Sequence, residues 1–212
     1  PAEIRHRLFD AAHAHGWRPP SHATACWSFY PTKTLGAVGD GGAATTNDQG
    51  LADAMRDLTG RDDQLRDGRQ ITSRMDEIQA AILRVKLKRL PRWIAERQAI
   101  GAWYRAHLPA GAEMVATGHG DLHHLAVIRV ARRDSVAAAL KARGVETKVH
   151  FPTPLHRQKA AWGDPSQRLP MAEAWSETVL SLPCFPGMTE QELTRVAEAL
   201  SHCVCNPDTL PA

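Results

Sequence analysis

The 212-residue sequence predicts an α/β protein in two portions joined by a long helical stretch, and three observations carry that prediction. A β-rich segment, His124–Val130, is followed by a helix pattern over 134–143. Val145, Thr147, Val149 and Phe151 then alternate with polar residues, so strand, helix and strand follow with tight connections, the order of an α/β layer. Earlier, Cys26–Tyr30 and Gly42–Thr46 read as short buried strands on either side of a glycine-rich loop, GAVGDGG over 36–42. Between the two portions, residues 73–107 are helical in pattern almost throughout. The expected division is 1–107 for the first portion with its connecting helix and 108–212 for the second.

Each element has a local reason. Phe9–Gly16, FDAAHAHG, places an acid and then small residues where a buried strand would end. Residues 48–59 predict a helix with Asp48 as its cap. Residues 73–90 open with Ser73 and Asp76 in capping-box spacing, and Met75, Ile78, Ile82 and Val85 share one helical face. Pro91 breaks or kinks that helix, and a second runs on to about His107. The helix over 134–143 takes Asp134 as cap and stops at Gly144. Residues 189–203 begin with Thr189 and Glu192, a capping box, and Leu193, Val196, Ala197 and Leu200 line one face.

Composition narrows the function classes. Apolar residues are 43% and charged residues 23%, ordinary for a globular chain and wrong for a disordered or collagen-like one. A formal charge of +3 falls short of a nucleic-acid-binding surface. The densest basic stretch, Arg84, Lys86, Lys88, Arg89 and Arg92, reads as the solvated face of a helix. No run reaches the length of a membrane span, and PAEIRHRLFD lacks the apolar core of a secretory signal. Cys26, Cys184, Cys203 and Cys205 form no CxxC pair, so a reducing, cytoplasmic setting is expected.

Residues 26–43, CWSFYPTKTLGAVGDGGA, hold the most chemistry. Lys33 sits in an uncharged, largely apolar stretch whose nearest downstream charge is Asp40. A desolvated lysine loses proton affinity and becomes the amine nucleophile that a Schiff base with an aldehyde cofactor needs. The same pattern also fits a plain surface-loop lysine. The GxxGxGG spacing is not the GxGxxG of a dinucleotide fold. Asp10 fits a carboxylate facing a protonated pyridine nitrogen, or a turn cap. His13 and His15 form an H-x-H pair without further ligands at metal spacing, and no metal is expected. A zinc hydrolase built on the eleven histidines gains nothing from His123 and His124, which would face opposite ways on a strand. Trp93, Trp103 and Tyr104 read as packing, Trp162 and Trp175 as core or interface with a base-binding surface as the alternative, Cys184 as a small buried residue, and Arg132 and Arg133 as solvated.

FDAAHAHG, SFYPTKTLGAVGDGGAATTND, SRMDEIQAAILRVKL and VHFPTPLH occur in that order. Together they resemble the DegT/DnrJ/StrS family of pyridoxal-phosphate-dependent sugar aminotransferases, over nearly the whole sequence. The resemblance implies an aspartate aminotransferase-like fold (fold type I) with a partial large domain and a C-terminal small α/β domain. It also implies a homodimer with active sites at the subunit interface, and pyridoxal 5'-phosphate as cofactor.

Carried over residue by residue, Lys33 matches the lysine that holds the cofactor covalently, and Asp10 the carboxylate that pairs with its pyridine nitrogen. His13 stands where the family has Gln or His beside the phenolic oxygen, and Ser28 matches a phosphate-binding hydroxyl. Thr72 replaces the family's usual asparagine, which contacts the partner's cofactor phosphate. Arg74 falls in a segment that reaches across the dimer. Tyr30, Arg74, His150 and His156 are the implied substrate-side residues.

The implied reaction is transamination of a nucleotide-linked keto-sugar, with a dTDP-3-keto-6-deoxyhexose favoured by the lysine loop and glutamate as amino donor. Neither nucleic acid nor membrane is expected as a partner. The resemblance begins well inside the family's chain, and the segment before Asp10, IRHRLF, is half charged. The alternative expectation is therefore a truncated, inactive fragment, or a non-catalytic half that supplies Lys33 and a dimer surface to a split enzyme.

Overall fold

The computed structural model describes residues 7–59, 71–115, 120–159, 164 and 166–205. Two compact units divide the chain, Pro1–Ile94 and Ala95–Ala212.

The first unit holds a three-stranded sheet of β1 (Arg7–Asp10), β2 (Ala23–Ser28) and β3 (Gly42–Thr46), in that spatial order. β1 pairs parallel with β2, Asp10 opposite Cys26, and β3 pairs antiparallel with β2, Gly42 opposite Ser28. Both expected strands around the glycine loop are present, but β3 is exposed rather than buried, because it forms the other edge of this sheet among the described residues. β1 is an edge strand and is not the buried strand expected, since Leu8 is 71% exposed. Helix α1 (Gln49–Leu58) starts where Asp48 accepts from the Leu51 amide at 3.0 Å, as the sequence suggests.

Helices α2 (Glu77–Leu87) and α3 (Leu90–His107) meet at a break just before Pro91, which occupies the first turn of α3, where its missing N–H costs nothing. Two expectations for α2 change. Its cap residue is Asp76 rather than Ser73, without a side-chain cap bond. Its inward face is also rotated from the expected one. Ile78 and Val85 are 74% and 60% exposed, while Leu83 is buried against Leu35, Ala37 and Leu90. The residues that flank Leu83 on the inner face are polar, Gln79 and Lys86. They answer backbone groups of the glycine loop, a demand that apolar periodicity does not register. Lys86 is thus half-buried, unlike the solvated residue expected of that basic stretch.

The second unit is built on an antiparallel sheet of β4 (Ala112–Met114), β5 (Ala126–Val130) and β6 (Val179–Leu182), with β5 in the middle. Helices α4 (Arg133–Ala142), α5 (Pro170–Thr178) and α6 (Glu190–Cys205) complete it. Ile128, Val136, Leu140, Leu180 and Leu200 are fully buried in one core with Tyr104. Each such aliphatic side chain contributes about 1.5–3 kcal/mol by leaving water. The expected packing role of the aromatic residues on α3 is clearest at Tyr104, whose hydroxyl donates to the Pro183 carbonyl at 2.9 Å.

The capping box at α6 forms as the sequence indicates, with the Thr189 amide on Glu192 at 2.8 Å and the return bond at 3.2 Å. Several other local expectations give way. The segment from Val145 to Phe151 forms no strand; only Lys148 bridges to Ser181, and the prolines at 152 and 154 cannot donate to a ladder. Helix α4 is entered through Arg132 in a left-handed conformation, and Asp134 lies in its first turn rather than at its cap. Arg133 is buried, not solvated. It binds Asp134 at 2.6 Å and donates to the carbonyls of Ser176 at 3.0 Å and Val179 at 3.1 Å. His123 precedes β5 in a left-handed conformation, φ 43°, so the picture of adjacent histidines on opposite strand faces does not hold. Trp162 lies outside the described residues.

Candidate active site

In the first unit the residues expected to carry chemistry gather at one end of the sheet. β1 and β2 are parallel, so their carboxyl ends point the same way. Asp10 closes β1 and Ser28 closes β2 at that end, the side of an α/β sheet where ligands are held. Past β1 the chain turns at once: the Asp10 carboxylate accepts from the Ala12 amide at 2.9 Å, and the Ala11 amide bonds to the Cys26 carbonyl at 2.8 Å. Asp10 thus makes a local turn bond while its carboxylate remains exposed at the sheet end.

His13 follows in this turn. Its imidazole is biased toward the neutral form by desolvation and then by the positive charge of Lys33, while Asp10 pulls the other way. Asp10 and Lys33 each lie within electrostatic reach of His13. His15 is 2% exposed, packed against Trp27 and Phe29 with ring centroids at 5.9 Å in both cases. Neither of its ring nitrogens makes a well-formed hydrogen bond, although the Ser28 backbone lies close enough to favour a proton there. Burial outweighs that contact and pushes the pKa of His15 down.

Lys33 is half-buried in the turn after β2, its amide on the Tyr30 carbonyl at 2.9 Å. Thr34, Leu35, Gly36 and Ala37 behind it are buried. The loop returns to β2 through Ala37 N–H on Phe29 O at 2.7 Å and Phe29 N–H on Gly41 O at 2.8 Å. Gly36 is required by space: a Cβ there would stand 2.4 Å from the Pro31 carbonyl oxygen. Ser28 Oγ accepts from the Tyr30 amide at 3.3 Å, and Tyr30 is half exposed beside it. Thr72 and Arg74 are exposed on the extended segment that leads into α2.

The remaining expected residues lie in the second unit. The His150 Nδ1 is 2.9 Å from the Ser181 hydroxyl, and His150 lines a groove with Phe151, Leu155 and Trp175. Trp175 therefore lies on a surface groove, not in the core. His156 is buried, its Nε2 3.3 Å from Glu173, a carboxylate that also takes Arg157 at 3.1 Å. The Leu169 amide bond to Glu173, followed by contacts from Arg157 and His156, holds that carboxyl below the usual range. Cys184 is partly buried, as expected of a small apolar residue, and burial raises its thiol pKa. Among the described residues no group of three or more histidines, cysteines or acids stands together as a metal site.

Gln79 and Lys86 contact the glycine loop; sequence reasoning did not single out Gln79 and read Lys86 only as part of a solvated helix face. Gln79 Oε1 accepts from the Val38 and Gly39 amides at 2.9 and 3.1 Å, and the Lys86 ammonium donates to the Gly36 carbonyl. The available signal was a glutamine and a lysine two turns apart on the face that carries Leu83, facing a loop rich in bare backbone.

An amine on a fixed turn, an acid at a strand end and an imidazole biased toward its neutral form accompany a match to the DegT/DnrJ/EryC1/StrS aminotransferase family over residues 7–201. The chain belongs to that family. A dTDP-3-amino-3,4,6-trideoxy-alpha-D-glucose transaminase of Streptomyces venezuelae is 38% identical over 92% of this chain and 55% of its own length. The S. venezuelae DesV structure, in complex with a ketimine intermediate, superposes with a TM-score of 0.87 and 36% identity, covering 94% of this chain and 58% of DesV. The NtdA structure of Bacillus subtilis, with bound cofactor PMP, gives a TM-score of 0.85 and 26% identity over 93% and 50% of the two chains. The fold is accordingly the aspartate aminotransferase-like α/β fold, fold type I, over the part that matches. The chain spans about half the length of the curated relatives it matches. Among the described residues no helix is long and apolar enough to cross a membrane.

The residues present fit pyridoxal phosphate. The donor set, an amine, a carboxylate and an imidazole with the amine and the carboxylate each in charge range of the imidazole, has the chemistry that an aldehyde, a ring nitrogen and a phenolic oxygen would need. Ser28 closes β2 at the same sheet end as Asp10, where its hydroxyl could meet a phosphate oxygen.

Proposed function

We propose that this chain carries the cofactor site of a pyridoxal-phosphate-dependent aminotransferase for a nucleotide-linked keto-sugar, with a dTDP-3-keto-6-deoxyhexose as substrate and glutamate as amino donor. The observation that carries the reading is that Asp10 at the carboxyl end of β1 and Lys33 in the turn after β2 both lie within electrostatic reach of His13. The transaminase name of the S. venezuelae relative supports the substrate class. Regiochemistry rests on the lysine-loop pattern, since pocket shape rather than a single contact reads one hydroxyl from the next.

Pyridoxal phosphate, when bound, supplies an aldehyde for amine exchange and a ring that takes up the electrons of a carbanion. Asp10 holds a proton on the ring nitrogen, which its negative charge stabilises there. His13, kept neutral by desolvation and by Lys33, offers the phenolic oxygen a hydrogen bond without adding charge. Lys33 would hold the cofactor through its amine, and the same amine, when free, would serve as general base and acid. It would move the proton between the α-carbon of the donor and the aldehyde carbon of the cofactor. Ser28, with Thr72, holds phosphate oxygens, and Tyr30, Arg74, His150 and His156 serve the substrate side. The domain division of 1–107 and 108–212 places the cofactor residues in the first portion and the two histidines in the second.

The exposed apolar side chains of α2, Ile78, Val85 and Leu87, support a homodimer that covers them. A cytoplasmic setting accords with four free cysteines among the described residues.

The test is an absorbance spectrum of the chain with added pyridoxal phosphate, followed by borohydride reduction and peptide mapping. The expected result is a visible band and a reduced adduct on Lys33 that Lys33→Ala abolishes. An adduct that survives Lys33→Ala overturns the mechanism. A folded chain without any band favours the alternative, a non-catalytic half of a split enzyme.

A further inference from the structure

We propose that Gln79 and Lys86 are positioning residues for Lys33, acting through the backbone of the glycine loop. The proposal rests on Lys33 being the attachment lysine. Gln79 and Lys86 stand two turns apart on one face of α2, with Leu83 between them. Gln79 Oε1 accepts from two consecutive amides, Val38 at 2.9 Å and Gly39 at 3.1 Å. One amide oxygen has two lone pairs, so a single glutamine satisfies both donors. The Lys86 ammonium takes the Gly36 carbonyl, and Leu83 is buried against Leu35 and Ala37. Three side chains of one helical face therefore grip the loop that begins just after Lys33.

The need for this grip follows from composition. Residues 36–42 hold four glycines, the residue with the greatest backbone freedom. A lysine that must place its amine on one atom is only as well aimed as its own backbone, and an error near 1 Å is costly in catalysis. Strand β2 fixes the loop from one side through Phe29. Helix α2 fixes it from the other, with polar groups on a face where periodicity calls for apolar ones.

The experiment uses Gln79→Ala, Gln79→Glu, Lys86→Met and Lys86→Arg in this chain, without cofactor. Competitive acetic anhydride labelling across pH, read lysine by lysine by mass spectrometry, reports the Lys33 amine against Lys141 and Lys148 as internal references. Amide exchange reports Val38 and Gly39. Gln79→Ala is expected to speed exchange at these two amides by about fivefold or more, the effect of losing hydrogen bonds of ordinary strength. It is also expected to shift the labelling profile of Lys33 and leave the references unchanged. Gln79→Glu keeps an acceptor for both amides and restores the Lys33 profile. Lys86→Met shifts the profile in its turn, and Lys86→Arg returns it toward the parent.

A Lys33 profile unchanged in both Gln79→Ala and Lys86→Met overturns the proposal. So does a change shared equally by all three lysines, which is general loosening rather than positioning. A parent chain that takes up no reducible pyridoxal phosphate on Lys33, while its labelling profile still follows Gln79, defeats the functional reading and leaves the positioning role standing.

Discussion

Replacing Gly36 by alanine places a methyl group where the structure has no room for one. Its Cβ would lie 2.4 Å from the Pro31 carbonyl oxygen and 2.8 Å from both the Pro31 carbonyl carbon and the Tyr30 oxygen. Ordinary contacts begin about 1 Å further out, and the opposing atoms are backbone, so no side-chain rotation relieves the clash. The loop itself must move. The Tyr30 oxygen accepts the Lys33 amide at 2.9 Å, and the next residue, Ala37, holds Phe29 at 2.7 Å, so both bonds are strained by that movement. Overpacking of this kind costs about 1–3 kcal/mol. Restricting the unfolded chain returns about 0.4–1 kcal/mol, and hydrogen bonds weakened by the shift cost about 1 kcal/mol each. The expected net loss is about 2–4.5 kcal/mol. Urea unfolding followed by circular dichroism measures it, with amide exchange at Lys33 and Ala37 locating it, because two compact units need not unfold together. Gly39→Ala is the control: its Cβ meets only the Gln79 side-chain amide, at 3.4 Å, and a much smaller effect is expected. The reasoning is refuted if Gly36→Ala stays within about 0.5 kcal/mol of the parent with unchanged exchange at both amides.

Three other outcomes are expected. Tyr104→Phe keeps the buried ring but removes the donor to the Pro183 carbonyl, and thermal melts should show a loss of about 1–2 kcal/mol; an unchanged melt would deny that bond any net value. Thr189→Ala removes one half of the α6 capping box and should cost about 1 kcal/mol, read from the urea midpoint, with Thr189→Ser recovering most of it. Burial lowers the pKa of both His15 and His123 in the folded chain, so the unfolded chain binds more protons in acid. Their contribution is complete above the ordinary histidine value of about 6.5 and is lost as pH falls through it toward the depressed folded values. Urea midpoints should fall between pH 7.5 and 5.5, and His15→Phe should flatten part of that slope. Equal slopes in parent and variant would show that His15 does not titrate against folding.

What could be read in the sequence was whatever local chemistry decides. Strand β3 was placed at its observed ends, Asp48 and the Thr189–Glu192 pair start helices as expected, and Pro91 marks the break between α2 and α3, because caps and proline act over a few residues. The four ordered motifs carried the family and named Lys33, Asp10 and His13 together. What only the tertiary structure decided depends on neighbours distant in sequence. Arg133 is buried because two carbonyls more than forty residues away accept from it. Val145–Phe151 forms no strand because only Lys148 finds a partner on β6. The face of α2 that turns inward was set by the unpaired backbone of a glycine loop, which required Gln79 and Lys86 where the hydrophobic pattern had placed Ile78 and Val85. Periodicity reports what water rejects, and it is silent on the hydrogen bonds that a buried loop demands of whatever packs against it.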